Sequence, residues 1–190
     1  MQSSAPTLLI VSGAPGSGKT TLSHRLAADL RLPLISKDEL KEALADAIGV
    51  PPDVPASMRL GAVAYAALYF AAQQLLEAQT GLIIESNFRR GVSEAELKPL
   101  LAWSDPGLIH CGAASEVVVT RCAERTRRGE RHAAHPDRDR VAALAQDLAD
   151  GRFEPVNLGI PTLLVDTTDG WRPAYEEILD FAVFPRARSL

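Results

Sequence analysis

The residues with the most specific chemistry stand together near the start of the chain, in the run Gly13-Ala14-Pro15-Gly16-Ser17-Gly18-Lys19-Thr20, followed by Thr21. The run satisfies G-x-x-x-x-G-K-[ST], directly after a short apolar stretch and at the start of a helical pattern. Gly13, Gly16 and Gly18 let the backbone turn so that successive N–H groups converge on a phosphate. The N-terminus of the helix that follows adds the positive end of its dipole. Lys19 can then reach β- and γ-phosphates, and the Thr20 hydroxyl can ligate Mg²⁺. Nucleotide binding follows from this run; the fate of the γ-phosphate does not.

A second group of candidates follows other short apolar runs. Asp38 comes just after "LIS" (34–36) and just inside a helical pattern. Ser36 and Glu39 have capping-box spacing, so Asp38 can be a first-turn acid favoured by the helix dipole. It can equally accept the proton of an attacking hydroxyl in phosphoryl transfer. The readings are compatible, since capping would fix the backbone that aims the side chain. Glu85 ends "GLIIE" and could hold Mg²⁺ through water or polarise the attacking group. Asn87 stands open between a substrate hydrogen bond and a turn residue, with Arg89 two positions on.

The third group is basic. Seven arginines fall between Arg121 and Arg140 in a chain of net charge −4. Arg121, Arg125 and Arg128 lie at i, i+4 and i+7 and share a helix face, with Arg131 in the loop beyond. Such residues can clamp phosphates and stabilise charge spreading over a transferring group. The plainer alternative is a solvated face on which Glu124 and Arg128 pair. His132 and His135 lack a third ligand at metal-site spacing and read as part of a mobile polar loop.

These residues need a frame. Apolar runs at 7–13, 32–36, 81–86, 107–113 and 162–168 read as strands. Helical patterns lie at 18–30, from about 38 until the prolines at 51–55, and at 57–79, 93–103, 116–128, 138–150 and 173–184. Ser93 and Glu96 have capping-box spacing. Alternation of short apolar runs with helices predicts an α/β fold, a parallel sheet covered by helices on both faces. In such sheets ligands sit outside the C-terminal ends of the strands. That rule moves Asp38 toward the catalytic reading, because an acceptor hydroxyl would arrive there. Tyr65, Tyr69 and Phe70 are expected mainly in the core, with some lining an acceptor pocket.

Composition excludes several classes. The chain has 190 residues, a length that suits one domain spanning 1–190. The sequence pI near 5.6 gives no electrostatic footprint for general nucleic-acid binding. Cys111 and Cys122 are too few for a disulfide framework and are expected as buried thiols. The start of the chain lacks signal-peptide features, and residues 60–76 are too weakly apolar to suggest a membrane span, so a cytoplasmic location is expected. No N-K-x-D guanine-reading sequence occurs, which disfavours a Ras-like switch, and the length disfavours an AAA-type machine with a helical lid domain.

Taken together, "GAPGSGKTTLSHRLA", "ISKDELKEAL", "IIESNF" and the arginine-rich segment resemble the small P-loop kinases. That group includes chloramphenicol phosphotransferases, zeta-toxin kinases, gluconate kinases and the polynucleotide 5′-kinase domain. The resemblance implies a three-layer fold with a five-stranded parallel sheet in the order 2-3-1-4-5. It implies ATP as donor, Mg²⁺ as cofactor and transfer to a small-molecule hydroxyl. By the same resemblance Asp38 is the base, and Lys41 stands where the polynucleotide-kinase branch has Arg. Glu85 takes a position commonly held by Asp, Arg125 with Arg128 or Arg131 supplies the lid within about 125–140, and Thr167 borders the adenine. Arg121 joins the nucleotide contacts, Lys41, Glu85, Asn87 and Arg89 the substrate contacts, and 49–79 the acceptor region. A 5′-hydroxyl polynucleotide kinase and a non-catalytic ATP-binding switch are the alternatives.

Overall fold

The first apolar run forms β1 (Thr7–Gly13), whose residues from Leu8 onward are buried on both faces. That is the pattern of a central strand in a parallel sheet, where helices cover both sides. In the computed structural model, residues 5–129, 132–135 and 140–183 are described, and the side chains of all of these except 140–143. The elements follow as α1 (Lys19–Leu30), β2 (Leu34–Ser36), α2 (Lys37–Ile48), α3 (Val54–Glu77), β3 (Leu82–Glu85) and α4 (Glu94–Leu101). The second half supplies β4 (Asp105–Gly112), α5 (Ser115–Arg127), α6 (Arg140–Ala149), β5 (Thr162–Asp166) and α7 (Tyr175–Val183).

Among the described residues the strands make one parallel sheet in the order β2-β3-β1-β4-β5, as expected. Alternate side chains serve opposite layers. Leu8, Ile10, Leu82, Ile84 and Leu108 pack under α3 and α4, whereas Leu9, Val11, Ile83, Ile109 and Val165 pack under α1 and α7. Each such fully buried aliphatic side chain contributes about 1.5–3 kcal/mol, so the centre of the sheet is a firm platform for the loops above it. Both cysteines are buried and neither forms a disulfide among the described residues, and burial pushes the Cys111 thiol up to about 12.

Register brings the strand ends together. Ser36 lies opposite Glu85, Glu85 opposite Val11, and Gly13 opposite Cys111. The C-terminal edge therefore gathers residues that are far apart in sequence.

Several local expectations are corrected. Ser36 precedes α2 but makes no side-chain cap; its hydroxyl is taken by Glu85, and Glu39 turns instead to His24 at 2.7 Å. Ser93 likewise caps nothing with its side chain, because its Oγ accepts from the Arg89 N–H at 3.0 Å. α3 starts three residues before the expected 57, where Asp53 Oδ1 accepts from the Ala56 N–H at 2.7 Å and Pro55 occupies the first turn. Phe70, expected in the core, is 67% exposed on the outer face of α3. By length and composition this 24-residue helix is apolar enough to cross a membrane, unlike the shorter run expected; its inner face packs on the sheet through Leu68, Ala72 and Leu76.

Candidate active site

The loop between β1 and α1 is shaped by what surrounds its glycines. A Cβ at Gly13, where φ is +146°, would stand 2.2 Å from the Cys111 carbonyl oxygen. One at Gly16 would meet Cys122 Sγ at 2.9 Å and the Val118 carbonyl oxygen at 3.0 Å. The loop is thus pressed between β4 and α5, with Ala14 buried against Val118 and Cys122. Ser17 N–H donates to the Ala14 carbonyl at 3.1 Å, and Lys19 Nζ reaches back to the same oxygen at 3.3 Å. Lys19 Nζ also lies 3.7 Å from Glu85 Oε1. Ser17 Oγ is buried without a hydrogen-bond partner among the described residues. A tight turn of glycines, an unsatisfied hydroxyl and a buried ammonium at a helix N-terminus fit a phosphate chain. Pro15 is half-buried in the same turn, and Thr20 and Thr21 are exposed in the first turn of α1.

Glu85 is only 3% exposed, and its Oε2 accepts from Ser36 Oγ at 2.8 Å. A buried carboxylate needs partners in place of its water, and the Lys19 ammonium and the Ser36 hydroxyl take that place here.

Asp38 sits one strand further out, in the first turn of α2. Lys37 Nζ donates to its Oδ1 at 3.0 Å, yet the side chain keeps 43% of its exposure. Burial opposes its charge, but Lys37, His135 and Lys19 outweigh that and hold the carboxyl at about 2. Lys37 also stands 5.4 Å from the centroid of the Tyr65 ring. Tyr65 Oη shares a hydrogen bond with Ser86 Oγ at 2.8 Å, and burial pushes its phenol up. Tyr65, Tyr69 and Phe88 form an aromatic wall with centroids 5.9–6.5 Å apart. Asn87 Oδ1 is buried and unpartnered among the described residues, and the Arg89 guanidinium lies 6.0 Å from the Phe153 ring centroid. Lys41 is 6% exposed and turned to α3, where its Nζ donates to Ser57 Oγ at 2.6 Å.

On the other side of the loop, a cavity of about 370 Å³ is bordered by Gly16, Gly18, Thr21, Thr167, Trp171 and one face of α5. Arg121, Arg125 and Arg128 all line it, as their spacing predicts. Arg128 also lies 3.9 Å from Glu124, so the plainer pairing is present as well. Arg121 is bound to backbone: it donates to the carbonyls of Gly16 at 3.3 Å, Thr167 at 2.7 Å and Thr168 at 3.3 Å. Thr167 Oγ1 donates to the Ser17 carbonyl at 2.8 Å. Arg131 lies outside the described residues, as do residues 130 and 136–139 of the expected lid.

The structure gives several residues partners that the sequence reading did not. Ser36 and Lys37 are the polar partners of Glu85 and Asp38. His132 and His135, read as part of a mobile loop, are paired with acids of α2. The only advance signal for these pairs was the i,i+4 spacing of Asp38, Glu42 and Asp46 on one helix face.

Strand order, loop and strand-end acids define a P-loop protein of the kinase type. The chain belongs to the AAA-domain family, which matches residues 8–149. A solved structure of a provisionally assigned kinase from Chloroflexus aurantiacus j-10-fl is 39% identical, with a TM-score of 0.85 over 94% of this chain and 97% of that one. A sugar kinase from Janibacter sp. HTCC2649 shares the fold at 19% identity, with a TM-score of 0.59 over 94% and 92%. The cytidylate kinase of Ignicoccus hospitalis is 43% identical over 44 residues, which is 23% of this chain and spans about a quarter (26%) of that protein.

Proposed function

We propose that this protein is an ATP-dependent phosphotransferase that moves the γ-phosphate to a hydroxyl of a small molecule, with Asp38 as the base. One observation carries the reading. An accessible carboxylate, held ionised by Lys37, stands one strand from the Lys19–Glu85 pair at the edge where nucleotide phosphates would end. The donor rests in the loop of residues 13–20, with Lys19 at its phosphates and Thr21, Arg121 and Thr167 bordering the cavity on the nucleoside side. Thr20 and Glu85 would hold Mg²⁺, which when bound neutralises charge on the β- and γ-phosphates.

The acceptor approaches between α2, α3 and the end of β3. Asn87 and Arg89 would hydrogen-bond it, and the Tyr65 and Tyr69 rings, backed by the buried Phe88, would pack against its carbon skeleton. Asp38 accepts the hydroxyl proton as the acceptor oxygen bonds to the γ-phosphorus and the bond from that phosphorus to the β,γ-bridging oxygen breaks, releasing ADP. A base held near 2 is weak. It suffices where the transition state is loose and the proton leaves late. Arg125 and Arg128 complete the clamp on the transferring group.

The test is Asp38→Asn, assayed by ATP consumption against a panel of hydroxylated metabolites and antibiotics with mass spectrometry of the product. ADP affinity should stay within about twofold and kcat fall about 10²–10⁴-fold. Asp38 acts ionised and its carboxyl lies below the ordinary value of 3.8, so that form is lost only as pH falls toward about 2. The kcat/KM profile should therefore show no acid limb from Asp38 between pH ~5 and ~8. Undiminished transfer in the variant removes Asp38 from the chemistry. Equal transfer to a 5′-hydroxyl oligonucleotide would favour a polynucleotide acceptor.

A further inference from the structure

Helix α5 meets both halves of the site. Near its middle, Arg121 is fastened to carbonyls of the phosphate loop and of the loop after β5. Just past its end, residues 132–135 lie on the acceptor-side helices. His132 Nε2 lies 3.0 Å from Asp46 Oδ1, and His135 Nε2 lies 3.1 Å from Glu42 Oε1. Between them Ala134 is fully buried against Ala45 and Leu60, and its carbonyl accepts from Ser57 Oγ at 2.9 Å. Ser57 in turn accepts from Lys41 Nζ. The charged groups of α2 around this segment are Asp38, Lys41, Glu42 and Asp46; α3 presents the neutral Ser57.

The hydrogen bonds assign a tautomer to His132. Its Nδ1 accepts from the Ala134 N–H at 3.1 Å, so that nitrogen carries no proton. The proton is then on Nε2, which donates to Asp46. A neutral imidazole thus closes a local turn with one nitrogen and ties it to α2 with the other.

Asp38, Glu42 and Asp46 occupy i, i+4 and i+8 of α2 and share a face. The first is the proposed base; the other two hold the histidines. Arg128 and His132 are four residues apart, a reach of at most ~14 Å even for extended chain. Fastening His132 to α2 therefore limits where the end of α5, with Arg125 and Arg128, can stand relative to Asp38.

We propose that His132 and His135 are positioning residues, a clasp that joins the segment after the arginine helix to the helix bearing the base. The clasp sets the distance between clamp and base. This role rests on the kinase reading above; the physical clasp does not.

The experiment compares His132→Ala/His135→Ala with His132→Gln/His135→Gln in the full chain. Glutamine keeps an N–H donor near the imidazole Nε2 position. Amide hydrogen exchange, read by mass spectrometry on the peptide containing Ala134, reports the clasp with no ligand added. Alanine should lower protection about tenfold, the scale of one or two lost hydrogen bonds, and glutamine, which keeps the donor to the acid but not the Nδ1 acceptor of the Ala134 N–H, should restore part of it. Transfer is then measured with the hydroxyl compound identified by the acceptor panel, or with water as acceptor if none is found. For the alanine variant kcat should fall about tenfold while ADP affinity, set by the untouched donor half, stays within about twofold. That retained affinity also shows that the variant is folded. Unchanged protection in the alanine variant overturns the clasp. Lost protection with unchanged kcat overturns the positioning role. Absence of transfer in the unmodified chain overturns the kinase reading and the positioning role with it, and the exchange result still reports on the clasp alone.

Discussion

The two halves of the site are built from different materials. The donor half is backbone: glycines pressed against β4 and α5, a lysine folded onto its own loop, and Arg121 fastened to three carbonyls. The acceptor half is side chain on side chain: Ser36 with Glu85, Lys37 with Asp38, Tyr65 with Ser86, and two histidines with two acids. A backbone cradle recognises what every nucleoside triphosphate shares, and leaves little room for substitution. Side-chain pairs can be exchanged one at a time without moving the sheet. On the proposed reading, the difference puts constancy on the donor side and specificity on the acceptor side.

The comparison breaks most severely at Gly13. In Gly13→Ala the new Cβ would stand 2.2 Å from the Cys111 carbonyl oxygen, an approach that no rotamer relieves because the backbone fixes the position of Cβ and the oxygen is itself backbone. The loop would have to leave the sheet edge. Nucleotide affinity should drop at least ~100-fold, with a loss of stability at the upper end of single-substitution effects, about 3–4 kcal/mol. ADP titration calorimetry and thermal unfolding check both. Near-normal ADP binding would mean that the loop is not held as described. The Asp38 substitution follows in size, with a loss confined to kcat.

Arg121→Lys comes next and asks whether the donor half is stiff because of this one side chain. A lysine carries the charge but cannot fork between Gly16 on one side and Thr167 with Thr168 on the other. Loss of one or two charge-assisted hydrogen bonds, each worth about 1.5–3 kcal/mol, should raise the KM for ATP about tenfold or more and leave the acceptor KM within about twofold. Steady-state kinetics with each substrate varied in turn separates the two. If both constants rose together, Arg121 would be coupling the halves.

The same contrast governs what could be read in the sequence. The phosphate loop was legible because its chemistry is local: eight consecutive residues carry the turn, the charge and the helix start. The strands themselves and the shared face of Arg121, Arg125 and Arg128 were legible for a similar reason, since apolar runs and helical spacing have short periods, whereas the strand order came from the resemblance to the small P-loop kinases. The acceptor half was not. Ser36 and Glu39 had capping-box spacing, but Ser36 gave its hydroxyl to Glu85, 49 positions away. His132 and His135 gave no usable metal spacing, and their partners Asp46 and Glu42 lie 86 and 93 positions distant. Lys41 was expected at the substrate and is turned to Ser57. For Ser36 a tertiary hydrogen bond displaced the local cap, and in all of these cases nothing in a window of a few residues announces the distant partner.

Tyr65→Phe is the mildest way to sharpen the contrast, because it removes one hydroxyl from the acceptor wall and nothing else. The ring would keep its contacts with Tyr69 and Phe88 and its place beside Lys37, so packing on α3 is conserved. What is lost is the hydrogen bond that holds Ser86, the residue between Glu85 and Asn87, against the aromatic wall. Ser86 is buried, and leaving its hydroxyl without that partner costs about 1 kcal/mol. The end of β3 would then hold Asn87 less firmly. The acceptor KM should rise about threefold to fivefold, with kcat nearly unchanged and the ATP constants untouched. A change in the ATP constants of the same size would show that the end of β3 transmits strain through Glu85 to Lys19, and the two halves would then be one mechanical unit despite their different construction.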